Sequence, residues 1–286
     1  AYTGQLDNAG ERLQLSHPLG ATVLSVTSGD RLPWPVLPDI ADFSLVPRNP
    51  AGATTPDDGA NWRASTHPGG SPGADDPPPT VPPIVINEIL TRPIPPQLDA
   101  IELFNPTADA VDLSGWFLSD DPAQPRKYRM PDNTTIAAGG YLVFDENDFN
   151  PTPGVGGSFA LDSTGEQVHL FAATRAGDFI GYSHGVDFGA ALRGVSFGRF
   201  VNSVGDEFYP LQSALSLGAA NPGPRIGPVV INEIHYHPEV AGDEFVELFN
   251  ISPAWVSLFD EQNPSNTWKL AGLGYVFPTN ITLAPN

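Results

Sequence analysis

The sequence contains no cysteine, only two lysines and no long apolar run. Without cysteine the chain cannot form disulfides, bind zinc through thiolates or use a thiol nucleophile. Thirteen basic residues against 33 acidic ones give a formal net charge of −20, so the surface lacks the positive charge that attracts nucleic-acid phosphates or anionic lipids. No apolar stretch approaches the roughly 18 residues of a membrane span. The sequence therefore predicts neither nucleic-acid binding nor membrane insertion.

Turn-forming residues, by contrast, are abundant. The chain has 32 prolines and 29 glycines among 286 residues, which together stay below the roughly 25–30% typical of low-complexity chains. Hydrophobic residues make up 40% of the sequence, which is enough apolar material for packed cores. A chain of this length suggests about two domains. We therefore expect a folded, turn-rich and acidic protein.

A segment in the middle of the chain recurs 145 residues later. Residues 84–113 and 229–258 are identical at twelve of thirty positions, and both contain the strings Ile-Asn-Glu-Ile and Glu-Leu-Phe-Asn. The start of the chain, residues 6–15, is similar to residues 161–170. Internal similarity at a fixed period indicates a repeated structural unit. The sequence thus predicts a tandem repeat of about 145 residues.

This repeat predicts the domain organisation. The expected regions are the C-terminal part of one unit at 1–74, a proline-rich linker at 75–83, one complete unit at 84–224, a short linker at 225–228 and the N-terminal part of a further unit at 229–286. A proline-dense linker behaves as a semi-rigid spacer. Because both outer regions correspond to part of a unit, we expect a segment of a longer tandem array, with pairing of the two partial units as the alternative.

Short runs rich in aromatic and β-branched residues alternate with turn signals, and no stretch of 11 residues has a helical apolar stripe. The predicted strands in the complete unit are Ile84–Ile89, Ile101–Asn105, Trp116–Leu118, Tyr141–Phe144, Gln167–Phe171, Phe179–Ser183 and Ser196–Phe200. Many short strands at this spacing indicate an antiparallel sandwich or barrel. In the first run, simple alternation places Ile86 and Glu88 on one face and Ile89 on the other.

Five motifs follow one another in the complete unit: Val-Ile-Asn-Glu-Ile at 85–89, Ile-Glu-Leu-Phe-Asn-Pro at 101–106, Val-Asp-Leu-Ser-Gly-Trp-Phe-Leu-Ser-Asp at 111–120, Ala-Ala-Gly-Gly-Tyr-Leu-Val at 137–143 and Leu-Asp-Ser-Thr-Gly-Glu-Gln-Val-His-Leu at 161–170. In this combination the chain resembles the bacterial lamin tail domain. The resemblance implies an all-β fold, an immunoglobulin-like antiparallel β-sandwich, in a large secreted or cell-surface protein. It brings no catalytic residues with it.

The last copy departs from the motif pattern after Leu258. Phe259-Asp260-Glu261 replaces Ser-Gly-Trp, and a longer run leads to Trp268. The strand pairing in this region is therefore left open.

One polar set recurs in both copies of the first hairpin. Its members are Asn87, Glu88, Glu102 and Asn105, with the counterparts Asn232, Glu233, Glu247 and Asn250. Paired carboxylates can act as general acid and base in glycoside hydrolysis, or they can contact a ligand. Polar residues that recur in sandwich strands more often form hydrogen bonds at strand ends and turns. We therefore predict a structural role for this set and no catalytic residue.

Two acidic turns are candidates for calcium binding. Their carboxylates belong to Asp120, Asp121, Asp145, Glu146 and Asp148. Calcium prefers such hard oxygen ligands, but neither turn follows the EF-hand spacing. Aspartates also stabilise turns through hydrogen bonds of their own. The sequence predicts no metal and no cofactor, with calcium as the alternative.

Two further motifs have catalytic or metal-binding interpretations. Ser196 lies in a Gly-Val-Ser-Phe-Gly string that matches the nucleophile elbow of hydrolases, but no helical stretch follows it as the elbow requires. We interpret Ser196 as a strand residue. His235 and His237 share a strand face at a spacing that can bind a transition metal, and a solvated strand end explains them equally well.

Tryptophans offer one more hypothesis, a stacking platform for sugars. Trp116 follows Ser-Gly in a strand-like run and is expected in the core. Trp34 and Trp62 lie in less regular sequence, where exposure would let them stack on a glycan.

The function predicted from these features is a non-enzymatic extracellular structural or adhesion module that spaces, tethers or presents domains of a larger protein. The alternative is a calcium- or glycan-binding accessory module of a secreted hydrolase. We expect an extracellular or cell-surface location. The expected partners are a protein or cell-surface component, with a glycan as the alternative, and neighbouring repeats of the same protein.

Overall fold

The computed structural model describes residues 5–50, 55–238 and 242–285. The chain divides into two compact units, Ala1–Pro224 and Arg225–Asn286. Within the described ranges every strand pairing is antiparallel and the two α-helices have only four residues each. None of these helices is long and apolar enough to cross a membrane. The predicted all-β class is confirmed.

The first segment of the larger unit consists of two short antiparallel strand pairs, one turn of α-helix and one 3-10 turn at Gly59–Asn61. Its elements are β1 (Arg12–Ser16), β2 (Thr22–Thr27), α1 (Leu37–Ile40), β3 (Leu45–Pro47) and β4 (Trp62–Ala64). β1 pairs with β2, and β3 pairs with β4.

The rest of this unit is a β-sandwich, here called the central sandwich. Its elements are β5 (Val85–Leu90), β6 (Ala100–Phe104), β7 (Val111–Asp112), β8 (Phe117–Ser119), β9 (Tyr128–Arg129), β10 (Thr135–Ile136), β11 (Tyr141–Asp145), α2 (Glu146–Phe149), β12 (Glu166–Ala173), β13 (Phe179–Phe188), β14 (Phe197–Gly198), β15 (Phe200–Val201) and β16 (Glu207–Phe208). One four-stranded sheet has the order β11-β6-β5-β14 and is called the β5–β6 sheet. The other has the order β13-β12-β8-β9 and is called the β12–β13 sheet.

Apolar side chains from both sheets form one core. It contains Ile86 and Leu103 from the β5–β6 sheet, Val168 and Leu170 from the β12–β13 sheet, and Trp116. Alternation along each strand directs these residues inwards. The expected burial of Trp116 is confirmed.

A β-bulge interrupts the pairing of β5 with β6. The register shifts between Ile86 and Glu88, which leaves Asn87 without a direct partner and sets Glu88 opposite Glu102. The extra residue at a bulge changes which side chains share a face. Ile86 and Ile89 therefore belong to the same core, and the predicted alternation, with Ile86 and Glu88 together and Ile89 opposite, is wrong.

The first segment packs on the outer side of the β12–β13 sheet. A second apolar cluster joins the two parts: Val36, Leu37, Phe43 and Ala64 from the first segment with Phe117, Phe171, Ala173 and Phe179 from the sheet. Phe171 alternates with Leu170, which faces the main core. Both faces of β12 are thus buried.

The smaller unit contains β17 (Val229–His235), β18 (Phe245–Asn250), β19 (Val256–Ser257), β20 (Lys269–Leu270), β21 (Tyr275–Val276) and β22 (Thr282–Leu283). β17 and β18 pair with a register shift between Ile231 and Glu233. This is the register of β5 and β6 moved by 145 residues, including the bulge, which here falls on Asn232.

The strand pairing after Leu258 follows the central sandwich in spite of the inserted residues. Trp268 N donates to Leu258 O at 2.9 Å. In the central sandwich Trp116 N donates to Leu113 O at 3.0 Å. Trp268 thus takes the position of Trp116, and the inserted residues form a loop closed by a bridge between Phe259 and Thr267.

Candidate functional site

The most repeated polar residues of the sequence meet in one buried cluster of the central sandwich. Glu88 on β5 and Glu102 on β6 are fully buried, and Asn87 is buried beside them. Ile101 and Leu103 face the core on either side of Glu102, so both carboxylates point to the outer side of the β5–β6 sheet.

Glu88 accepts three hydrogen bonds from residues far along the chain. Ser196 Oγ donates to Glu88 Oε1 at 2.5 Å, and the Ser216 backbone N–H donates to the same oxygen at 3.0 Å. Ser216 Oγ donates to Glu88 Oε2 at 2.8 Å. Three donors compensate much of the cost of removing a carboxylate from water.

Glu102 is held by Asn87 and by the backbone of the covering loop. Asn87 Nδ2 donates to Glu102 Oε1 at 2.7 Å, and the Gly218 N–H donates to Glu102 Oε2. Burial raises the pKa of Glu102, the bonds from Gly218 and Asn87 oppose this, and the negative charge of Glu88 adds to the increase. Like charges on directly opposite strand positions repel each other.

Asn221 completes the cluster from the covering loop. Its Nδ2 donates to the Asn87 and Arg199 carbonyl oxygens, each at 3.0 Å. The loop of residues 216–221 is thereby fastened to the outer side of the sheet. All four carboxylate oxygens of Glu88 and Glu102 have donors from the chain itself, and both side chains are fully buried. We call this cluster the carboxylate latch: Asn87, Glu88, Glu102, Ser196, Ser216, Gly218 and Asn221.

Comparison with known proteins gives one match. Residues 77–184 match the Lamin Tail Domain family. This segment is a lamin tail domain. The matched residues include Asn87, Glu88 and Glu102, whereas Ser196 and the covering loop lie beyond them. No curated protein and no solved structure matches the chain.

Asn105 follows β6 in the lamin tail domain, and its side chain connects the turn after this strand to a neighbouring segment. Its Nδ2 donates to Asp109 O at 2.8 Å and to Ala137 O at 2.9 Å. In the smaller unit, Asn250 Nδ2 donates to Ala254 O at 2.7 Å and to Ala284 O at 2.9 Å. The same corner is thus built twice, in each case by an asparagine that connects a turn to a neighbouring strand.

The other counterparts of the latch lie at the surface of the smaller unit. Asn232, Glu233 and Glu247 are exposed, and Asn232 Nδ2 donates to Glu247 Oε1 as Asn87 does to Glu102. The described part of this unit has no loop that covers the carboxylates. The residues of this motif are thus buried in the central sandwich and exposed in the described part of the smaller unit.

The remaining catalytic and metal-binding candidates are dispersed. Ser196 is fully buried and its hydroxyl donates to Glu88, and the strand β14, not a helix, follows it. His235 Nδ1 lies 3.5 Å from Asp243 O, and His237 is exposed. Within the described residues no three His, Cys, Asp or Glu side chains form a group that could hold a metal ion.

The calcium candidates near β8 have partners in the lamin tail domain itself. Asp120 Oδ1 accepts from Lys127 Nζ at 2.5 Å. Asp121 accepts from the Ala123 N–H at 2.8 Å and from Gln124 Nε2 at 2.8 Å. Three of the four carboxylate oxygens of Asp120 and Asp121 thus accept hydrogen bonds from this turn or from Lys127.

The candidates at Asp145, Glu146 and Asp148 belong to the short helix α2. Asp145 Oδ1 accepts from the Asn147 N–H at 2.8 Å, and Asp148 Oδ2 accepts from the Asp145 N–H at 3.0 Å. These bonds form a capping box, which provides acceptors for the backbone N–H groups that have no partner within the first turn of a helix. Glu146 Oε1 accepts from Asn150 Nδ2 at 3.1 Å.

Of the two tryptophans considered for sugar stacking, Trp34 is buried. Its ring lies 5.9 Å from that of Trp62, which is half-buried and donates from Nε1 to Pro56 O at 2.9 Å. Of the two rings that this hypothesis requires, Trp34 is therefore packed inside the protein and is not available to stack on a sugar.

Sequence reasoning missed a second buried carboxylate site in the proline-rich linker. Asp76 Oδ2 accepts from Arg63 Nη1 at 2.6 Å and from the Thr66 N–H at 3.1 Å, and Asp76 Oδ1 accepts from Ser71 Oγ at 2.9 Å. Burial acts to raise the pKa of Asp76, but the bonds from Arg63, Ser71 and Thr66 outweigh it and lower that pKa. No periodicity marks a linker aspartate, so the sequence contained no signal for this contact.

Glu166, at the start of β12, should make stability depend on pH. Burial, with smaller contributions from the charges of Asp120 and Asp162, raises its pKa from 4.5 to about 7, although the Asp162 N–H and Lys127 oppose the increase. Between these pH values the folded state keeps a proton that the unfolded chain releases, so this stabilisation is complete below about pH 4.5 and is lost as the pH rises to 7. The contribution of Glu166 to the free energy of unfolding should therefore fall by about 2 kcal/mol over this range, and a variant without this carboxyl group isolates it from the other groups that titrate there.

The matched variant for this test is Glu166→Gln, whose amide oxygen can still accept from Asp162 N. Between pH 4.5 and 7, we expect the unfolding free energy of the wild type, measured by urea unfolding, to fall by about 2 kcal/mol relative to that of this variant. Equal pH profiles of the two proteins would contradict the assignment.

Proposed function

We propose that this chain is a non-enzymatic, extracellular structural or adhesion module that spaces, tethers or presents domains of a larger protein. The observation that carries the proposal is the carboxylate latch. Glu88 and Glu102 are the paired carboxylates that the sequence offered for acid–base chemistry, and both accept hydrogen bonds that fasten a loop to a sheet. The acidic, cysteine-free composition is compatible with a solvated surface outside the cell.

A tandem arrangement of lamin tail domains is part of this proposal. The shared register of β5–β6 and β17–β18 supports it, and so does the repeated asparagine corner at Asn105 and Asn250. We interpret the smaller unit as the front part of a further lamin tail domain and the first segment as the back part of another. Neighbouring repeats would then be partners of this chain, together with a protein or cell-surface component. The resemblance also implies a bacterial origin.

No observation favours the calcium- or glycan-binding alternative. The carboxylates of the acidic turns accept hydrogen bonds from Lys127 and from backbone N–H groups, and Trp34 is buried.

Protease shaving of intact source cells tests the proposed location. We expect peptides of this chain in the supernatant before any cytosolic marker is released, because an extracellular module is accessible without lysis. A lysed sample serves as the control for total protein. Recovery of the peptides only after lysis would contradict the location, and turnover by the purified chain in an esterase and glycosidase panel would contradict the non-enzymatic role.

A further inference from the structure

Lys127 and Asp120 form a close ion pair across the turn that joins β8 to β9. Lys127 Nζ lies 2.5 Å from Asp120 Oδ1, and the two side chains are only 18% and 17% exposed. In the ion pair between Arg175 and Asp112, by contrast, the side chains are 64% and 46% exposed. Water therefore competes less for the ammonium group and the carboxylate of the first pair than for the charges of the second.

The cation of this pair is a lysine, which can react where an arginine cannot. In the part of the chain that the structure describes, the other ion pairs have arginine or histidine as their cation. A guanidinium group keeps its proton in proteins, whereas a lysine ammonium group loses its proton readily when it is withdrawn from water. Proton transfer from Lys127 to Asp120 gives a neutral amine that faces a carboxylic acid.

Glu166 is the third group of this site. Its strand β12 pairs with β8 as far as Ser119, so Asp120 and Glu166 lie at the same end of the two strands. Burial raises the pKa of Glu166 from 4.5 to about 7, and the charges of Asp120 and Lys127 act on it in opposite directions. The Asp162 N–H donates to Glu166 Oε1 at 2.5 Å, so a proton on this group resides on Oε2. Glu166 can thus hold a proton beside the ion pair near neutral pH.

We propose that Lys127 and Asp120 are joined by a covalent amide bond that forms spontaneously in the folded chain. A bond forms between Lys127 Nζ and Asp120 Cγ, and one of the two Cγ–O bonds of Asp120 breaks. The oxygen leaves as water with two of the three protons of the ammonium group, and the third proton stays on the amide nitrogen. The reaction consumes no oxidant and no cofactor. Glu166 gives a proton to the departing oxygen and recovers one from the nitrogen.

The fold brings the two reacting groups together. Nucleophile and electrophile react most readily when their atoms are held roughly 3–3.5 Å apart. Lys127 Nζ contacts Asp120 Oδ1, and the carbon that it attacks lies one covalent bond behind this oxygen. The low exposure of both side chains reduces the solvation of the ions, which in open water would keep the amine protonated and the carboxylate unreactive.

The amide bond would close residues 120–127 into a ring that persists when the chain unfolds. It would fasten β9, the edge strand of its sheet, to β8, with which it forms only two pairs of residues. The chain has no cysteine, so a disulfide cannot provide such a cross-link. A cross-link restricts the freedom of the unfolded chain. The reaction needs no oxidising compartment, so the proposal does not depend on the cell-surface location.

Intact-mass spectrometry of the full chain under denaturing conditions tests the proposal. We expect the wild type to be lighter than its sequence mass by one water molecule. The matched control is Lys127→Arg, which keeps a cation beside Asp120 but has no reactive amine. Asp120→Ala removes the carboxyl group instead. Both variants should have the mass expected from their sequences, and a wild type at its full sequence mass would overturn the proposal.

Trypsin digestion of the unfolded chain locates the bond. Trypsin does not cleave after a lysine whose amine is acylated, so the chain should be cleaved after Lys269, its other lysine, but not after Lys127. The fragment Lys127-Tyr128-Arg129 should be recovered joined to the fragment that contains Asp120. Complete cleavage after Lys127 would contradict the bond even if a water molecule had been lost, because a cyclic imide at an aspartate leaves the lysine free.

Glu166→Gln tests the role of the third group. The glutamine can still accept from the Asp162 N–H but has no acid proton to give. Acid–base catalysis contributes roughly 10²–10⁴-fold to a rate, so we expect freshly purified Glu166→Gln to remain largely at its sequence mass. Tryptophan fluorescence shows whether this variant is folded. A folded Glu166→Gln protein that has lost the water molecule as completely as the wild type would contradict the role of Glu166.

Discussion

Replacing Glu88 by alanine is expected to lower the free energy of unfolding of the lamin tail domain by about 3 kcal/mol. The substitution leaves Ser196 Oγ and both the N–H and the Oγ of Ser216 without their buried acceptor. A buried donor without a partner costs roughly 1–3 kcal/mol, and the relief of repulsion with Glu102 offsets part of that sum. The melting midpoint should fall by about 6–12 °C for a unit of this size.

The matched control is Glu233→Ala, which removes the same residue of the same motif in the smaller unit. Glu233 is exposed, and we expect no measurable change in stability. Urea unfolding followed by tryptophan fluorescence measures both variants, and Glu88→Gln provides a milder change if the alanine variant does not fold. Similar stability losses at positions 88 and 233 would show that burial under the loop does not determine the role of this residue.

Replacing Phe171 by alanine should cost about 3–5 kcal/mol, the usual range for a buried phenylalanine. Phe171 is fully buried on the outer side of the β12–β13 sheet, with its ring 5.7 Å from that of Phe179. The first segment packs over it through residues that include Leu37 and Phe43. The cavity would therefore weaken the docking of this segment as well as the sheet.

Limited trypsin digestion distinguishes these two effects. We expect faster cleavage at Arg48 and Arg63 in Phe171→Ala than in the wild type, at urea concentrations where the sandwich remains folded. Phe200→Ala is the control, because Phe200 is exposed on β15 and its removal should change neither stability nor cleavage. Unchanged cleavage at both arginines in Phe171→Ala would contradict the docking of the first segment.

The strands of the lamin tail domain could be located from the sequence because their pattern is local. Runs such as Tyr141–Phe144 and Gln167–Phe171 alternate in hydrophobicity and end at turn residues, and each is a strand in the structure. The repeat was equally accessible, since it depends only on comparing the chain with itself. The recurrence of Asn87, Glu88 and Glu102 in the sequence also indicated the polar residues of the latch that lie on β5 and β6.

The partners of these residues could not be predicted, since Ser196 and Ser216 lie more than one hundred residues away from Glu88. The bulge at Asn87 was equally hidden, because a pairing register belongs to two strands and not to one.

The sequence by itself determined the fold class, the positions of the longer strands of the lamin tail domain and the internal similarity at an offset of 145 residues, which all follow from residue patterns along the chain. Only the tertiary structure decided whether a repeated residue is buried or exposed. Glu88 and Glu233 occupy the same motif and the same register, but among the described residues a loop covers only Glu88. Burial depends on what packs over a strand from elsewhere in the chain, and the sequence of the strand itself does not contain that information.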